Sequence, residues 1–270
     1  MLDDKNLKLL LDKVHRNKGV DFSLYRINTI KRRLSARIRK LGLKNILDYL
    51  PYLNQDPSEY DRLIEEITIN VTEFFRNPEA FEAIAKKVIP EIIRTKETQA
   101  DKTIRAWSAG SSSGEEAYSL AILFTEALKD KHVAFDVKIH ATDIDPDCIR
   151  KAEVGIYGPN SLKEVDSKIL KHYFDKKDGD YAVSDELKRK VTFKVHNLVS
   201  DDYFKHLDII ICRNVLIYFT KPLQEMVYNR FAGALNPSGF LVLGKVESLW
   251  GYSQSLFEAF DNRERIYRKR

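Results

Sequence analysis

The sequence predicts a doubly wound α/β domain that follows a helical N-terminal domain and carries a small antiparallel β insert. Three observations support this fold class. The first hundred residues show apolar stripes at helical spacing, short apolar runs alternate with helical patterns from residue 103 onward, and the stretch over 155–190 breaks that alternation. A chain of 270 residues is long enough for two such domains.

The N-terminal part predicts helices only, because its apolar residues recur every three or four positions. The stripes and helix starts are Leu7–Val14, Ile27–Leu41, Ile46–Leu53, Leu63–Ile67 and Asn77–Pro78. A polar run at Lys96–Lys102 resembles a linker. We therefore predict a helical domain at 1–80, a connecting helix and linker at 81–102, and an α/β domain at 103–270.

Within the α/β domain, strands and helices alternate as a parallel sheet requires. The predicted strands are Thr103–Ala109, Val137–Thr142, Val191–Val195, Leu207–Cys212, Gly239–Gly244 and, as a last edge strand, Arg265–Arg268. The predicted helices are Ala117–Leu128, Pro146–Glu153 and Pro222–Leu235. The insert at about 155–190 contains a predicted helix at Ser167–Phe174 and a turn at 178–180 between short strands.

Composition narrows the class of protein. The apolar runs are far shorter than the roughly 20 residues of a membrane-spanning helix, and the acidic first residues do not resemble a secretory signal. Two isolated cysteines and six histidines without ligand spacing predict neither disulfides nor a metal site. We expect a cytoplasmic protein that does not insert into membranes.

Charge is distributed unevenly along the chain. The net charge is +5, yet the 22 residues from Arg26 to Leu47 hold eight bases and no acid, so the rest of the chain carries −3. Arg33, Arg37, Lys40 and Lys44 share one helical face, which favours a specific acidic partner over general nucleic-acid binding. The alternative is an ordinary solvated face.

Ligands of open α/β sheets bind beyond the carboxyl ends of the strands. The first predicted strand is followed by Gly110, whose loop departs from the dinucleotide and nucleoside-triphosphate patterns and ends in Glu115 and Glu116. These carboxylates would repel a pyrophosphate, although acids at a helix start also stabilise the helix dipole. The loop thus favours a ligand with a positive charge or free hydroxyls.

The next strand ends supply groups for the rest of such a ligand. An acid after the second strand binds ribose hydroxyls in many α/β folds, so we assign Asp143 to ribose and Asp145 to the cap of the following helix. Asn197 and Leu198 follow the third strand and suit a purine ring, although many such asparagines only form turns. A ribose, a purine and a cation without phosphate describe S-adenosylmethionine.

Five segments of the chain resemble the CheR-type chemotaxis receptor methyltransferases in order and spacing, over essentially the whole chain. They are Thr68–Arg76, Trp107–Tyr118, Ala141–Asp145, His196–Leu198 and Ile211–Phe219. One position departs from the family pattern, since Ala117 stands where a proline is usual. Proline at a helix start is pre-organisation, so we expect little functional cost.

The resemblance implies a Rossmann-like S-adenosylmethionine-dependent methyltransferase, a protein-glutamate O-methyltransferase that releases S-adenosylhomocysteine. It implies catalytic roles for Arg76 and Tyr218, although a packed tyrosine remains an alternative for Tyr218. The implied cofactor-binding residues are Asn70, Thr72, Arg76, Gly110, Glu116, Asp143, Asn197, Leu198, Arg213 and Asn214. The substrate would be glutamate side chains on the acidic cytoplasmic helices of chemoreceptors, docked by Arg33, Arg37, Lys40 and Lys44.

Two other functions remain open at this point. A nucleic-acid methyltransferase would suit the fold and the bases, but the turn after the fourth strand, at Arg213–Leu216, lacks the Asp/Asn-Pro-Pro-aromatic pattern of amino-group enzymes. A non-catalytic, cofactor-sensing adaptor on receptor arrays is the second. We expect a monomer that binds no nucleic acid.

Overall fold

A computed structural model of the protein describes residues 3–23, 25–68 and 71–270. Its contacts form two compact units. Unit 1 comprises the described residues before Val71 together with Tyr218–Gln224, and unit 2 comprises Val71–Ile217 and Glu225–Arg270. The division falls after residue 70 and not at the predicted residue 80, because the helices over 78–97 bury their apolar side chains in the core of unit 2. None of the described helices has the length and apolarity needed to cross a bilayer.

The described residues of unit 1 form four helices, two of which begin at side-chain caps. They are α1 (Asp4–Lys18), α2 (Ile27–Lys40), α3 (Ile46–Gln55) and α4 (Glu59–Thr68). The Asp3 side chain accepts a hydrogen bond at the start of α1, and Asn45 does the same for α3. Gly19, in the left-handed conformation, ends α1. The predicted apolar stripes of these helices are largely buried, although Ile27 at the start of the stripe of α2 is exposed.

One of the four predicted docking residues is not on the surface. Arg37 is only 7% exposed and donates two hydrogen bonds to Glu59, from Nε at 2.7 Å and from Nη2 at 2.6 Å. Tyr49 Oη donates a third at 2.6 Å. The prediction was wrong for Arg37 because helical spacing does not reveal an acid on another helix. Burial acts to raise the pKa of Glu59, but the bonds from Arg37 and Tyr49 outweigh it, so that pKa lies below its ordinary value.

Replacing Arg37 with methionine should therefore destabilise unit 1. The change leaves the Glu59 carboxylate buried without its main partner, and losing one partner of a buried pair costs roughly 3–5 kcal/mol. Chemical denaturation measures the loss. Lys40→Met, at an exposed position of the same helix, is the control and should change stability by less than about 0.5 kcal/mol. Equal losses in the two variants would contradict the structural role of Arg37.

The main sheet of unit 2 has seven strands in the order β6-β2-β1-β7-β8-β10-β9. The five strands from β6 to β8 run parallel, and β10 pairs antiparallel with β8 and β9. The strands are β1 (Thr103–Ala109), β2 (Asp136–Asp143), β6 (Val191–Val195), β7 (Leu207–Cys212), β8 (Leu235–Leu243), β9 (Phe257–Asp261) and β10 (Ile266–Lys269). The predicted last strand is thus an inner strand, and the edge strand β9 was not predicted.

Helices cover the sheet, and the predicted insert is present. The helices are α5 (Pro78–Ala83), a π-helical turn (Ile84–Val88), α6 (Ile89–Glu97), α7 (Glu115–Leu128), α8 (Pro146–Val154), α9 (Ser167–Tyr173), α10 (Asp185–Lys188), α11 (Lys221–Ala234) and α12 (Ser253–Leu256). The insert is an antiparallel sheet in the order β3-β5-β4, formed by β3 (Ile156–Tyr157), β4 (Phe174–Lys177) and β5 (Asp180–Val183). Parallel strands end at a common edge, where the predicted site residues follow them.

Candidate functional site

The ends of β1 and β2 are joined by backbone hydrogen bonds. The N–H groups of Gly110 and Ser111 both donate to the carbonyl of Thr142 at 2.8 Å. The turn places Gly110 at φ +82°, a conformation that glycine adopts without strain. A Cβ atom here would clash with Cγ2 of Val215, so the loops after β1 and β7 touch at this point. No larger residue fits without displacing one of them.

Asp143 lies at the carboxyl end of β2 and is nearly buried. Its Oδ2 accepts the N–H of Ser112 at 2.8 Å, and its Oδ1 accepts the N–H of Asp145 at 3.0 Å. Burial raises the pKa of Asp143 to about 6, although these backbone bonds act in the opposite direction. Each carboxylate oxygen has two lone pairs, so both can still accept a ligand hydroxyl. Asp145 caps α8 as predicted, accepting from the N–H groups of Asp147 and Cys148.

The loop after β6 begins beside Asp143, since the N–H of His196 donates to the Asp143 carbonyl at 2.9 Å. The side-chain oxygen of Asn197 accepts the N–H of Val199 at 2.9 Å, so Asn197 does form a turn. Tyr203 Oη donates to the carbonyl of the buried Leu198 at 2.7 Å. Arg230, which the sequence analysis missed, donates to the carbonyls of Leu198 and Val199 and holds this loop.

Glu116 and Arg213 form a buried pair between the start of α7 and the end of β7. Arg213 Nη1 lies 3.5 Å from Glu116 Oε2, and Ser108 Oγ donates to Glu116 Oε1 at 2.8 Å. Burial raises the pKa of Glu116, and the Arg213 charge opposes that shift. The Arg213 side chain is 2% exposed. Arg213 therefore supports the residues of the site from within the protein and is not open to a ligand from solvent.

The second guanidinium nitrogen of Arg213 fixes the turn before α5. Its Nη2 donates to the carbonyl of Arg76 at 2.8 Å and to Oδ1 of Asn77 at 2.7 Å. Phe74, two residues before Arg76, is fully buried. Arg76 is half-buried and its Nη1 donates to the carbonyl of Val71 at 2.9 Å, next to the half-buried Thr72. Asn70 lies outside the described residues.

The loop after β7 contains Asn214, which has a positive φ of 63°. Its N–H donates at 2.9 Å to the carboxylate of Glu247, a buried residue in the loop after β8. Glu247 was not predicted, because only the residues that follow the first four predicted strands were assigned to the site. An acid three residues after Gly244, at the end of the fifth predicted strand, was the available signal. Tyr218 belongs to unit 1, where its carbonyl accepts the N–H of Arg26 at 2.8 Å.

Two family models match this chain and together cover nearly all of it. The model of the CheR methyltransferase SAM-binding domain, where SAM is S-adenosylmethionine, matches residues 70–266, and that of the CheR methyltransferase all-alpha domain matches residues 5–68. The chain belongs to the CheR methyltransferase family. It is a SAM-dependent methyltransferase, as the resemblance implied, with SAM as its cofactor.

Two relatives of similar length bear the name chemotaxis protein methyltransferase. The chain is 34% identical over 236 residues to the chemotaxis protein methyltransferase of Listeria innocua, covering 87% of each chain. It is 32% identical over 250 residues to the chemotaxis protein methyltransferase of Borreliella burgdorferi, covering 91% of this chain and 88% of the relative. It also matches an uncharacterized 104.1 kDa protein of Rhodobacter capsulatus at 34% identity, covering 92% of this chain and 26% of that protein.

The strand-end residues fit this cofactor. Asp143 retains acceptor capacity and has a pKa raised by burial, so hydroxyl donors would favour its ionised form. Ser111 Oγ is buried without a hydrogen-bond partner among the described residues, in the loop that leads to α7. Buried polar atoms normally have a partner, so this hydroxyl can bind a polar group of the ligand. Glu115, Glu116 and Asp143, at the carboxyl ends of the strands, disfavour a phosphate group and suit a cationic ligand.

Proposed function

We propose that this enzyme methylates glutamate side chains on the acidic cytoplasmic helices of chemoreceptors and forms methyl esters there. The observation that carries the proposal is the acid-free basic segment 26–47, which lies in the part of the chain that matches the all-alpha domain of CheR methyltransferases. Relatives over nearly the whole chain bear the name chemotaxis protein methyltransferase. A strongly basic surface suits an acidic helix by charge complementarity.

The cofactor would be held from several strand ends. Asp143 would bind the ribose hydroxyls, and Asn197 with Leu198 would contact the adenine. Gly110 would allow close approach of the backbone. Glu116 and Asn214 would lie near the methionine portion, while Asn70, Thr72 and Arg76 would close over the cofactor.

Arg213 would act on the cofactor indirectly, through Glu116 and the 76–77 turn, because its guanidinium is buried and bonded to them.

Methyl transfer to a carboxylate depends on the positioning of the two reactants more than on acid–base catalysis. When bound, SAM supplies an electrophilic methyl group. A glutamate has an ordinary pKa near 4.3, so its carboxylate is already the nucleophile at neutral pH and requires no general base. The protein must align the attacking oxygen and exclude water, and such alignment can contribute about 7–11 kcal/mol. Arg76 would orient the substrate or cofactor, and Tyr218 would orient the attacking oxygen by a hydrogen bond.

The bases that the structure exposes in the basic segment differ from the four that the sequence predicts. Lys40 and Lys44 are exposed, whereas Arg33 is half-buried with its Nη1 4.0 Å from Glu66. Arg32 and Arg39 are also exposed, seven residues apart on α2. We propose that these exposed bases, without Arg37, attract the receptor helix.

A labelling experiment tests the function. The purified chain is incubated with methyl-labelled SAM and a receptor cytoplasmic fragment, and the label should enter the fragment and be released by mild alkali, as an ester is. A fragment with glutamine at the labelled positions is the control. Binding of S-adenosylhomocysteine without any transfer would indicate an adaptor, and label in duplex DNA or RNA would indicate a nucleic-acid enzyme. Either result would overturn the proposal.

Reversing the exposed charges should slow docking without affecting the cofactor. We expect Lys40→Glu combined with Lys44→Glu to lower kcat/KM for the receptor fragment about tenfold at low salt, because the change replaces attraction with repulsion. The difference should shrink as salt shortens the range of the field. Lys5→Glu with Lys8→Glu, at exposed positions of α1, makes the same charge change outside the basic segment. A similar loss in that control would contradict a local docking role.

A further inference from the structure

We infer that Glu247 is a positioning residue of the methyl-transfer site, whose carboxylate sets the backbone of the Asn214–Ile217 turn. The inference rests on the assignment of Asn214 to the cofactor. It does not depend on which substrate is methylated. Glu247 belongs to the loop after β8 and has no place in the sequence motifs that define the predicted site.

Four backbone donors converge on this one side chain. Oε2 accepts the N–H of Gly244 at 2.7 Å and the N–H of Asn214 at 2.9 Å. Oε1 accepts the N–H of Leu216 at 2.8 Å and the N–H of Ile217 at 3.2 Å. Glu247 is 4% exposed, so these bonds are shielded from water. Three of the four donors lie in the single turn that follows β7.

The backbone around the carboxylate is shaped to admit it. A Cβ atom at Gly244 would lie 2.7 Å from Oε2 of Glu247 and 2.9 Å from the nitrogen of Asn214. Any side chain at position 244 would therefore separate the carboxylate from the turn. Asn214 has a positive φ of 63°, a left-handed conformation that asparagine adopts more readily than most residues other than glycine. The bond from its N–H group to Glu247 fixes that conformation.

The carboxylate joins the loops that follow β7 and β8. Asn214 follows β7, Gly244 follows β8, and Ile217 directly precedes Tyr218 in the chain. An ionised carboxylate is a stronger acceptor than an amide oxygen and can accept on both oxygens. A glutamine at position 247 retains one oxygen and turns its amino group toward two N–H donors. Two of the four bonds to residue 247 would then be replaced by repulsive contacts, and at least one of the lost bonds comes from the Asn214–Ile217 turn.

The test measures cofactor affinity and not methyl transfer. Titration calorimetry with S-adenosylhomocysteine compares the wild-type chain with Glu247→Gln at a temperature where near-UV circular dichroism shows both to be folded. We expect the dissociation constant to rise about tenfold, the usual scale for loss of hydrogen bonds to a charged group. Hydrogen exchange of peptides covering 213–217 should also become faster in the variant.

Glu225→Gln is the matched control. The Glu225 carboxylate accepts the N–H of Tyr252 at 2.8 Å, so this variant removes a similar charge from a backbone donor at another place in unit 2. Its affinity for S-adenosylhomocysteine should match that of the wild type. A carboxylate that merely stabilises the fold would lower the melting temperature and leave the affinity of the folded molecules unchanged. An affinity within twofold of the wild type in folded Glu247→Gln would therefore overturn the inference.

A wild-type measurement decides the matter if Glu247→Gln does not fold. Hydrogen exchange is followed with and without S-adenosylhomocysteine. Protection that increases together at 213–217 and at Gly244 supports a coupled turn. If the ligand slows hydrogen exchange at Ser112 and Asp143 but not at 213–217, the inference is overturned, because the ligand would then bind without engaging the turn. If the wild-type chain does not bind S-adenosylhomocysteine, both the cofactor assignment and the inference fail. If the enzyme methylates a substrate other than the receptor, the expected affinities and exchange rates stay the same.

Discussion

Asp143→Asn should lower the affinity for S-adenosylhomocysteine by tenfold or more. The substitution keeps the shape of the side chain but removes the ionised acceptor that the ribose hydroxyls would use, and hydrogen bonds to charged groups contribute about 1.5–3 kcal/mol. Titration calorimetry measures the change. Asp136→Asn, at the exposed opposite end of the same strand, is the control and should leave the affinity unaltered. Unchanged affinity in Asp143→Asn would remove Asp143 from the cofactor site.

The same carboxyl group should make cofactor binding depend on pH. Burial raises the pKa of Asp143 from 3.8 to about 6 in the ligand-free protein. Its contribution to stability is therefore fully present below about pH 3.8 and is lost as pH rises through about 6. Hydroxyl donors favour the ionised form, so cofactor affinity should fall as pH drops below about 6. Asp143→Asn should lack this dependence, and a variant that retained it would place the titrating group elsewhere.

Arg213→Met should cause one of the largest losses of stability in unit 2. The guanidinium is buried and bonded to the Arg76 carbonyl and to Asn77, and it faces Glu116. Removing it leaves Glu116 buried without a cation, and Glu247 already acts to raise the pKa of Glu116. We expect a decrease in the free energy of unfolding of roughly 3–5 kcal/mol, measured by chemical denaturation.

A second substitution separates the lost pair from the lost packing. Glu116→Gln in the Arg213→Met background removes the unpaired charge, so the double variant should be more stable than Arg213→Met alone. Arg105→Met removes a partly exposed arginine paired with the exposed Asp101, and it should change stability by less than about 1 kcal/mol. A double variant as unstable as the single one would show that Glu116 does not depend on Arg213.

The fold was largely predictable because its strands and helices have strong periodic patterns. The strand β7 is apolar except for Asp208 and is buried along its whole length, and the stripe of α1 is buried as expected. The strand β9 was missed because exposed and apolar residues do not alternate in it from Phe257 to Asp261. Pairing with β10 makes it a strand, and that pairing is a contact that no local pattern reveals.

The site was predictable where strand ends carry polar groups in a known order, as at Asp143. It was not predictable where a side chain acts on the backbone of a distant loop, as Glu247 and Arg230 do, because such contacts leave no spacing in the sequence. Arg37 shows the opposite error. Its position on the helix was correct, but the burial of its guanidinium depends on Glu59, which is 22 residues away.

The two end strands of the main sheet have a consequence for self-association. Strands β6 and β9 terminate the sheet, and each presents an exposed charged residue there, Lys194 on β6 and Glu258 on β9. A foreign strand added at either border would have to desolvate that charge, which is how many natural β proteins resist aggregation. The exposed charge on each end strand therefore opposes the addition of another strand to the sheet.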